Sequence, residues 1–324
     1  MHRTEYVLKR IAFALMTVFV AITINFLLFH ALPGSAVTSA LRSPHASPEL
    51  RATLTHEFGL DKSLFQQYVL YLNQLFFHAN MGVSFVDSVP VTATLRTALG
   101  NTIPLVFVGT FVAIVVGIVT GLLSAWRRSG VVDKVSTNSA IVFYALPTQF
   151  IGMMLILLFG AYLPTSQMRN EVENFFSDQS AWSNLVDIGR HMVLPALCLA
   201  LTLFGEYTLV VRSSMLETLG EDYVLTARAK GLPQRRIVVA HALRNAMLPI
   251  ATLVALSLGY IVAGAILVEI VFTWPGIGRA VYSAVLDRDY PMLQGAFLIL
   301  TLSVVFFNFV ADLLYFKLDP RIAQ

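Results

Sequence analysis

The chain alternates long apolar runs with short polar stretches. Six runs reach the roughly 20 residues of helix needed to cross a bilayer: residues 10–31, 99–126, 135–163, 190–212, 248–271 and 291–316. Trp126, Trp274 and Tyr290 stand near run ends, where aromatic rings suit the membrane interface. Pro104, Pro147 and Pro195 fall in or near runs, where neighbouring helices can satisfy the backbone groups that proline frees. Two segments break the pattern. Residues 33–98 are mostly polar, yet Leu64, Tyr68, Tyr71, Leu72 and Leu75 recur at helical spacing and predict one amphipathic helix. Such a helix lies on the bilayer, packs on neighbouring spans or helps to seat an external partner. Residues 213–247 are basic and predict two short helices separated by Gly231-Leu232-Pro233.

Composition sharpens this into a class. Hydrophobic residues make up 56% of the chain, charged residues 13%, and the mean hydropathy is +0.72. Soluble domains carry about 25% charged residues, so the chain reads as an all-α, polytopic membrane protein. A membrane β-barrel would show short alternating segments instead. The single cysteine, Cys198, excludes an internal disulfide and reads as a small buried residue. The net charge of +3 forms no nucleic-acid-binding stripe; its distribution is what informs. Lys and Arg concentrate in residues 1–10, 127–134, 212–244 and 317–324, and are more dispersed among acids on the other side. The positive-inside rule then places both termini and the 213–247 loop in the cytoplasm. The first run has an apolar core longer than the roughly 7–15 residues of a signal peptide, and reads as a retained helix.

Familiar reaction chemistry is absent. There is no phosphate-binding G-x-x-x-x-G-K-[ST] loop, no G-x-S-x-G elbow and no H-E-x-x-H pair. The histidines are scattered, so no metal site or cofactor is expected. Charged groups inside spans are costly and therefore informative. Glu206 is the clearest; it either faces a water-filled path or pairs with Arg212, and the sequence leaves both open. Glu269 and Asp312, nearer run ends, read as interface or capping groups. Gly117 and Gly121 form a G-x-x-x-G, with Gly109 on a similar face, which predicts close helix packing within the fold or with a second membrane subunit.

In the basic loop, Asp222 is placed to cap a helix beginning at Tyr223 and running to Lys230. Gly231 suits the left-handed position that ends a helix, and Pro233 can open the next. A helix of about eight residues is unstable alone, so its stop signals make sense when something holds it. Ala227, Ala229 and Gly231 allow close approach, and Arg228, Lys230, Arg235 and Arg236 favour an acidic rim. The alternative is a solvated loop resting on anionic lipid.

Two blocks carry a family resemblance: “DYVLTARAKGLPQRRIVVAHALRNAMLP” and “VEIVFTWPGIGRAVYSAVLDRDYPMLQG”. With “VLKRI” at the amino terminus and “LPGS” after the first run, they resemble the permease subunits of bacterial ABC importers for dipeptides and oligopeptides. The resemblance implies a type I importer permease fold of six transmembrane helices with a small extracytoplasmic subdomain. Its parts are a cytoplasmic N-terminus and first helix at 1–31, the subdomain at 32–98, a core at 99–316 and a tail at 317–324. It implies an inner-membrane location, and partners comprising a second homologous permease, cytoplasmic ATPase subunits, an external solute-binding protein and membrane lipid. The chain would not itself be an enzyme. The loop would be the coupling helix that docks in the ATPase through Asp222, Tyr223, Ala227, Arg228 and Gly231. Ala227 and Gly231 match the family's “EAA…G” pattern, whereas Leu225 stands where its leading acid belongs. Later in the pattern, His241 to Arg244 replace its “I-x-L-P”. Trp274, Pro275 and Gly276 would line the outer gate or meet the binding protein, and Glu206 would face the path. Nickel and glutathione permeases belong to the same family, and a stand-alone secondary transporter is the rival from another class.

Overall fold

The computed structural model describes residues 3–31, 62–170, 180–247, 249–251, 253–254 and 265–318. Helices dominate. The first run becomes α1 (Arg3–Ala31), and the amphipathic segment becomes α2 (Leu64–His78). A capping box opens α2: Ser63 accepts from the Gln66 backbone N–H, and Gln66 accepts from that of Ser63. α2 packs on α1 through rings. Phe26 meets Tyr68 and Tyr71 at 5.1 and 5.5 Å, and the Tyr68 and Thr23 hydroxyls are 2.6 Å apart. Of the three readings of this helix, the structure displays packing on a neighbouring span.

The second and fourth runs are longer than expected. They form α3 (Val91–Trp126) and α6 (Ala181–Leu219), of 36 and 39 residues. At about 1.5 Å per residue each exceeds 50 Å, well beyond a hydrocarbon core of about 30 Å. The two run parallel as the principal packed pair. Gly109 lies against Leu199, Gly117 against Tyr207, and Gly121 against Thr208 and Val211. A Cβ at Gly121 would come within 2.7 Å of the Thr208 carbonyl, so the small residues serve contacts inside this chain. The Thr120 and Thr208 hydroxyls, 2.9 Å apart, bridge the same seam.

The third run departs from expectation. It is two helices, α4 (Val131–Ala145) and α5 (Thr148–Phe159), bent by 109°. Pro147 supplies no N–H to the ladder and drives Leu146 into extended backbone at ψ 136°, so one straight helix cannot pass. The sixth run is α10 (Tyr290–Leu318). It packs along α1, and Arg10 pairs with Asp312 at 2.7 Å, so Asp312 joins two spans. Half of the fifth run lies outside the described residues; its end is a helix, Ile266–Val271, here α8. Between α6 and the fifth run come α7 (Asp222–Ala229), a short helix Gln234–Arg236 and a π-helix Ile237–Ala242. After α8 comes α9 (Ile277–Leu286).

Buried side chains gather at two levels. Leu194, Cys198, Leu199, Val268 and Phe272 pack near one end of the bundle, and Val211, Met215, Val238, Ala242 and Ile250 near the basic end. Outward faces are apolar instead of polar: Phe107 is 69% exposed and Leu157 79%. Faces of that kind are stable against lipid, not water.

Candidate functional site

Only Gly220 and Glu221 separate the long helix α6 from α7, so the two are closely tethered. Glu221 is the N-cap, in extended backbone, and no side chain caps the helix. Asp222 is therefore the first helical residue and not the cap. Its carboxylate still sits where the helix dipole favours negative charge. At the other end the stop signal works as expected, with Gly231 at φ +76°. The Leu232 N–H donates to the Ala227 carbonyl at 3.3 Å and the Gly231 N–H to that of Arg228 at 2.9 Å. This is a Schellman ending, and Leu232 completes it by packing on Val224, Ala227 and Ile237. No heavy atom would lie within 4 Å of a Cβ at Gly231, so glycine is required by its backbone conformation and not by space.

This packing decides which face is free. Val224 and Ala227 are buried against their own chain, so Ala227 braces the helix from within. Tyr223 accepts a hydrogen bond from Asn245 at 2.8 Å and ties α7 to the following helical segment. The outward face carries Leu225, Arg228, Ala229 and Lys230. Leu225, 51% exposed, is an apolar knob among cations.

About two turns before α7 on α6 lies a cluster that the sequence reading missed. Arg212 makes a bidentate pair with Asp133, Nε to Oδ1 at 2.7 Å and Nη2 to Oδ2 at 3.0 Å. Asp133 also accepts from the Ser124 hydroxyl at 2.5 Å and the Ser129 N–H at 2.8 Å. The ends of α3, α4 and α6 are thereby fastened together. Of the two readings of Glu206, the pairing with Arg212 does not occur: six residues of helix put them about 9 Å apart along the axis, and Asp133 takes the guanidinium. Among the described residues Glu206 makes no hydrogen bond or ion pair. It is half-buried on a stripe of α6, with Thr202, Val210 and Ser213, that is less covered than the face carrying Phe204, Tyr207, Thr208 and Val211.

At the opposite end, α8 turns back on itself. Trp274 is fully buried, not at the interface. Its indole N–H donates to the Asn101 carbonyl at 2.9 Å, while the Asn101 amide donates to the Pro275 carbonyl at 2.9 Å. A buried aromatic with a satisfied polar handle belongs to a core. Glu269, also fully buried, is a cap, but for α9 and not for its own helix. It accepts from the Gly278 N–H at 2.7 Å, the Arg279 N–H at 3.3 Å and the Thr102 hydroxyl at 2.6 Å. Thr102 accepts in turn from the Ile277 N–H at 2.9 Å. Three N–H groups that α9 cannot satisfy internally are thus met from α8 and α3. Of the expected trio, Trp274 and Gly276 are buried and only Pro275 is exposed.

Comparison with known proteins meets this geometry. Residues 114–324 match the family described as the binding-protein-dependent transport system inner membrane component, and residues 3–106 match the N-terminal region of such membrane components. The chain belongs to this family. It is 36% identical to the dipeptide transport system permease protein DppB of Escherichia coli K12, over 98% of each chain. It is 33% identical to the di/tripeptide transport system permease protein of Pseudomonas aeruginosa UCBPP-PA14, and 31% identical to a glutathione transport system permease protein of Escherichia coli O6:H1. Each of those alignments also covers 98% of both chains. Membership makes the protein a multi-pass inner-membrane transport component and selects that reading over a stand-alone secondary transporter. Within this permease, two groupings escaped sequence reasoning. Asp133 lies near the start of a helix and Arg212 at the end of a span, and nothing local links them. Glu269 stands nine residues before the Gly278 it caps, and only the reversal at Phe272–Gly276 brings them together.

Proposed function

We propose that this permease is one membrane-spanning half of an ATP-driven, type I peptide importer. A second homologous permease supplies the other half, a separate ATPase hydrolyses ATP at the basic, cytoplasmic end where both termini lie, and a solute-binding protein delivers substrate at the other. The observation that carries the proposal is α7. It is a short surface helix, braced from within by Val224 and Ala227 and joined to α6 by two residues, so force on its outer face reaches a span. Its contact surface is Leu225, Arg228 and Lys230, with Asp222 and Tyr223 at its start; Ala227 and Gly231 hold that surface in place. The identity to dipeptide and di/tripeptide permeases, 36% and 33% against 31% for the glutathione permease, supports peptides over glutathione. Glu206, on the less covered stripe of α6, faces the path. At the outer end Pro275 is the part of the turn open to a binding protein.

Purification in mild detergent is expected to bring down an ATPase and a second permease, and reconstitution of the set with its binding protein to give ATP-dependent dipeptide uptake. Uptake by the isolated chain would refute the assembly. A substitution series tests α7 itself. A β-branched residue in left-handed backbone costs about 1–2 kcal/mol, so Gly231→Val should lose most transport while still inserting and assembling. Asparagine tolerates that backbone, so Gly231→Asn should retain much more; equal activity of the two variants would remove the role assigned to the helix ending.

A further inference from the structure

Among the described residues the carboxylate of Glu206 has no fixed counter-charge, and the apolar runs offer few candidates. The six apolar runs contain Arg10, Arg190 and Arg212, each at the end of its run, and no other Lys or Arg. Arg10 pairs with Asp312 and Arg212 pairs bidentately with Asp133. Arg190 lies sixteen residues from Glu206, about 24 Å along the helix. The fifth run, which is described only in part, holds no cation at all.

Position on α6 is equally selective. Gly205 packs against Ala140 and Tyr144 of α4, and Tyr207 against Gly117 of α3, so the residues either side of Glu206 are committed to two different neighbours. Glu206 stands on the remaining stripe, half-buried, with Thr202 one turn before it and Val210 one turn after. An acid inside a span without a protein cation faces water or a mobile charge. A peptide carries such a charge in its free α-ammonium group, which is a three-donor match for a carboxylate.

We propose that Glu206 is a substrate-binding residue of the translocation path, receiving the α-ammonium group of a peptide in transit. The inference rests on the peptide-importer reading and adds to it a residue and the substrate group that it recognises. The half-buried setting suits a transient site, because water can solvate the carboxylate when no substrate is there and little desolvation is needed for the pair to form.

The test uses the complete reconstituted importer, with its binding protein and ATPase. ATP-driven uptake of a dipeptide is compared with uptake of its des-amino analogue, in the parent, Glu206→Gln and Glu206→Asp proteins. Glu206→Gln should lower dipeptide uptake about ten- to a hundredfold, the size of a lost charged hydrogen bond. It should lower analogue uptake little, so that the preference between the two collapses, and Glu206→Asp should restore part of that preference. An unchanged preference in Glu206→Gln overturns the inference, and so does loss of the second permease on purification, which would make Glu206 an assembly contact. Parent complexes that import neither compound overturn the peptide reading as well; parent uptake with an unchanged preference overturns the Glu206 assignment alone.

Discussion

Gly278→Val is expected to leave little correctly folded protein after extraction into detergent. A Cβ at this position would lie 2.9 Å from Glu269 Oε2 and 2.9 Å from the Ile266 Cβ, and would press on the Ile266 backbone. The Ile266 contact is at its Cα and Cβ, and the Glu269 oxygen, though it ends a side chain, belongs to a carboxylate held by three donors. Retreat of the Glu269 carboxylate would break its bonds to Gly278, Arg279 and Thr102 and strand a buried acid. Overpacking alone costs about 1–3 kcal/mol, and an unsatisfied buried group adds about as much again. The combined loss is a large share of the stability of most domains. Thermal unfolding followed by size exclusion, with fluorescence of the buried Trp274 as a local probe, reads the result. Gly100→Ala is the control, because a Cβ there meets nothing within 4 Å. A Gly278→Val protein that melts like the parent would disprove the capped-turn account.

Asp133→Ala should be nearly as damaging, at the other end of the bundle. It removes the acceptor for Arg212, the Ser124 hydroxyl and the Ser129 N–H at once. Breaking one side of a buried ion pair costs about 3–5 kcal/mol, because the remaining charge is left without compensation. Arg212 is partly open to solvent at 26%, which places the expected loss near the lower figure. The sharper measurement is the double substitution Asp133→Ala with Arg212→Met. If the loss comes from the stranded guanidinium, the double variant recovers a good part of it, and the cycle yields a coupling energy above about 1 kcal/mol. Additive losses would mean that the pair is incidental. Because the pair lies between α7 and the spans, ATPase activity stimulated by loaded binding protein should fall with it in the assembled importer.

Much of the architecture is written locally. Residues 190–212 and 291–316 read as spans because an unbroken apolar run in lipid has few options besides a helix. Gly231-Leu232-Pro233 reads as a helix ending because left-handed backbone selects glycine and Leu232 can fold back on the preceding turn. Other features needed contacts that spacing does not encode. Trp274 has the composition of an interface residue, but Asn101, far earlier in the chain, supplies its acceptor and buries it. Ala227 looks like a small residue kept for a partner, and Ile237 turns it inward. Arg212 had two acids to choose from, and the folding of α4 beside α6 delivered Asp133.

By itself, then, the sequence determined the medium, the helical class, the basic face and the short helix with its stop. All of these follow from hydropathy, charge and backbone preference, which act within a few residues. Only the tertiary structure decided the 109° bend of the third run, the pairing of Asp133 with Arg212, the capping of α9 by Glu269 and the solitude of Glu206 among the described residues. Those depend on which buried polar groups meet across helices, and burial makes each such meeting costly to leave unmade.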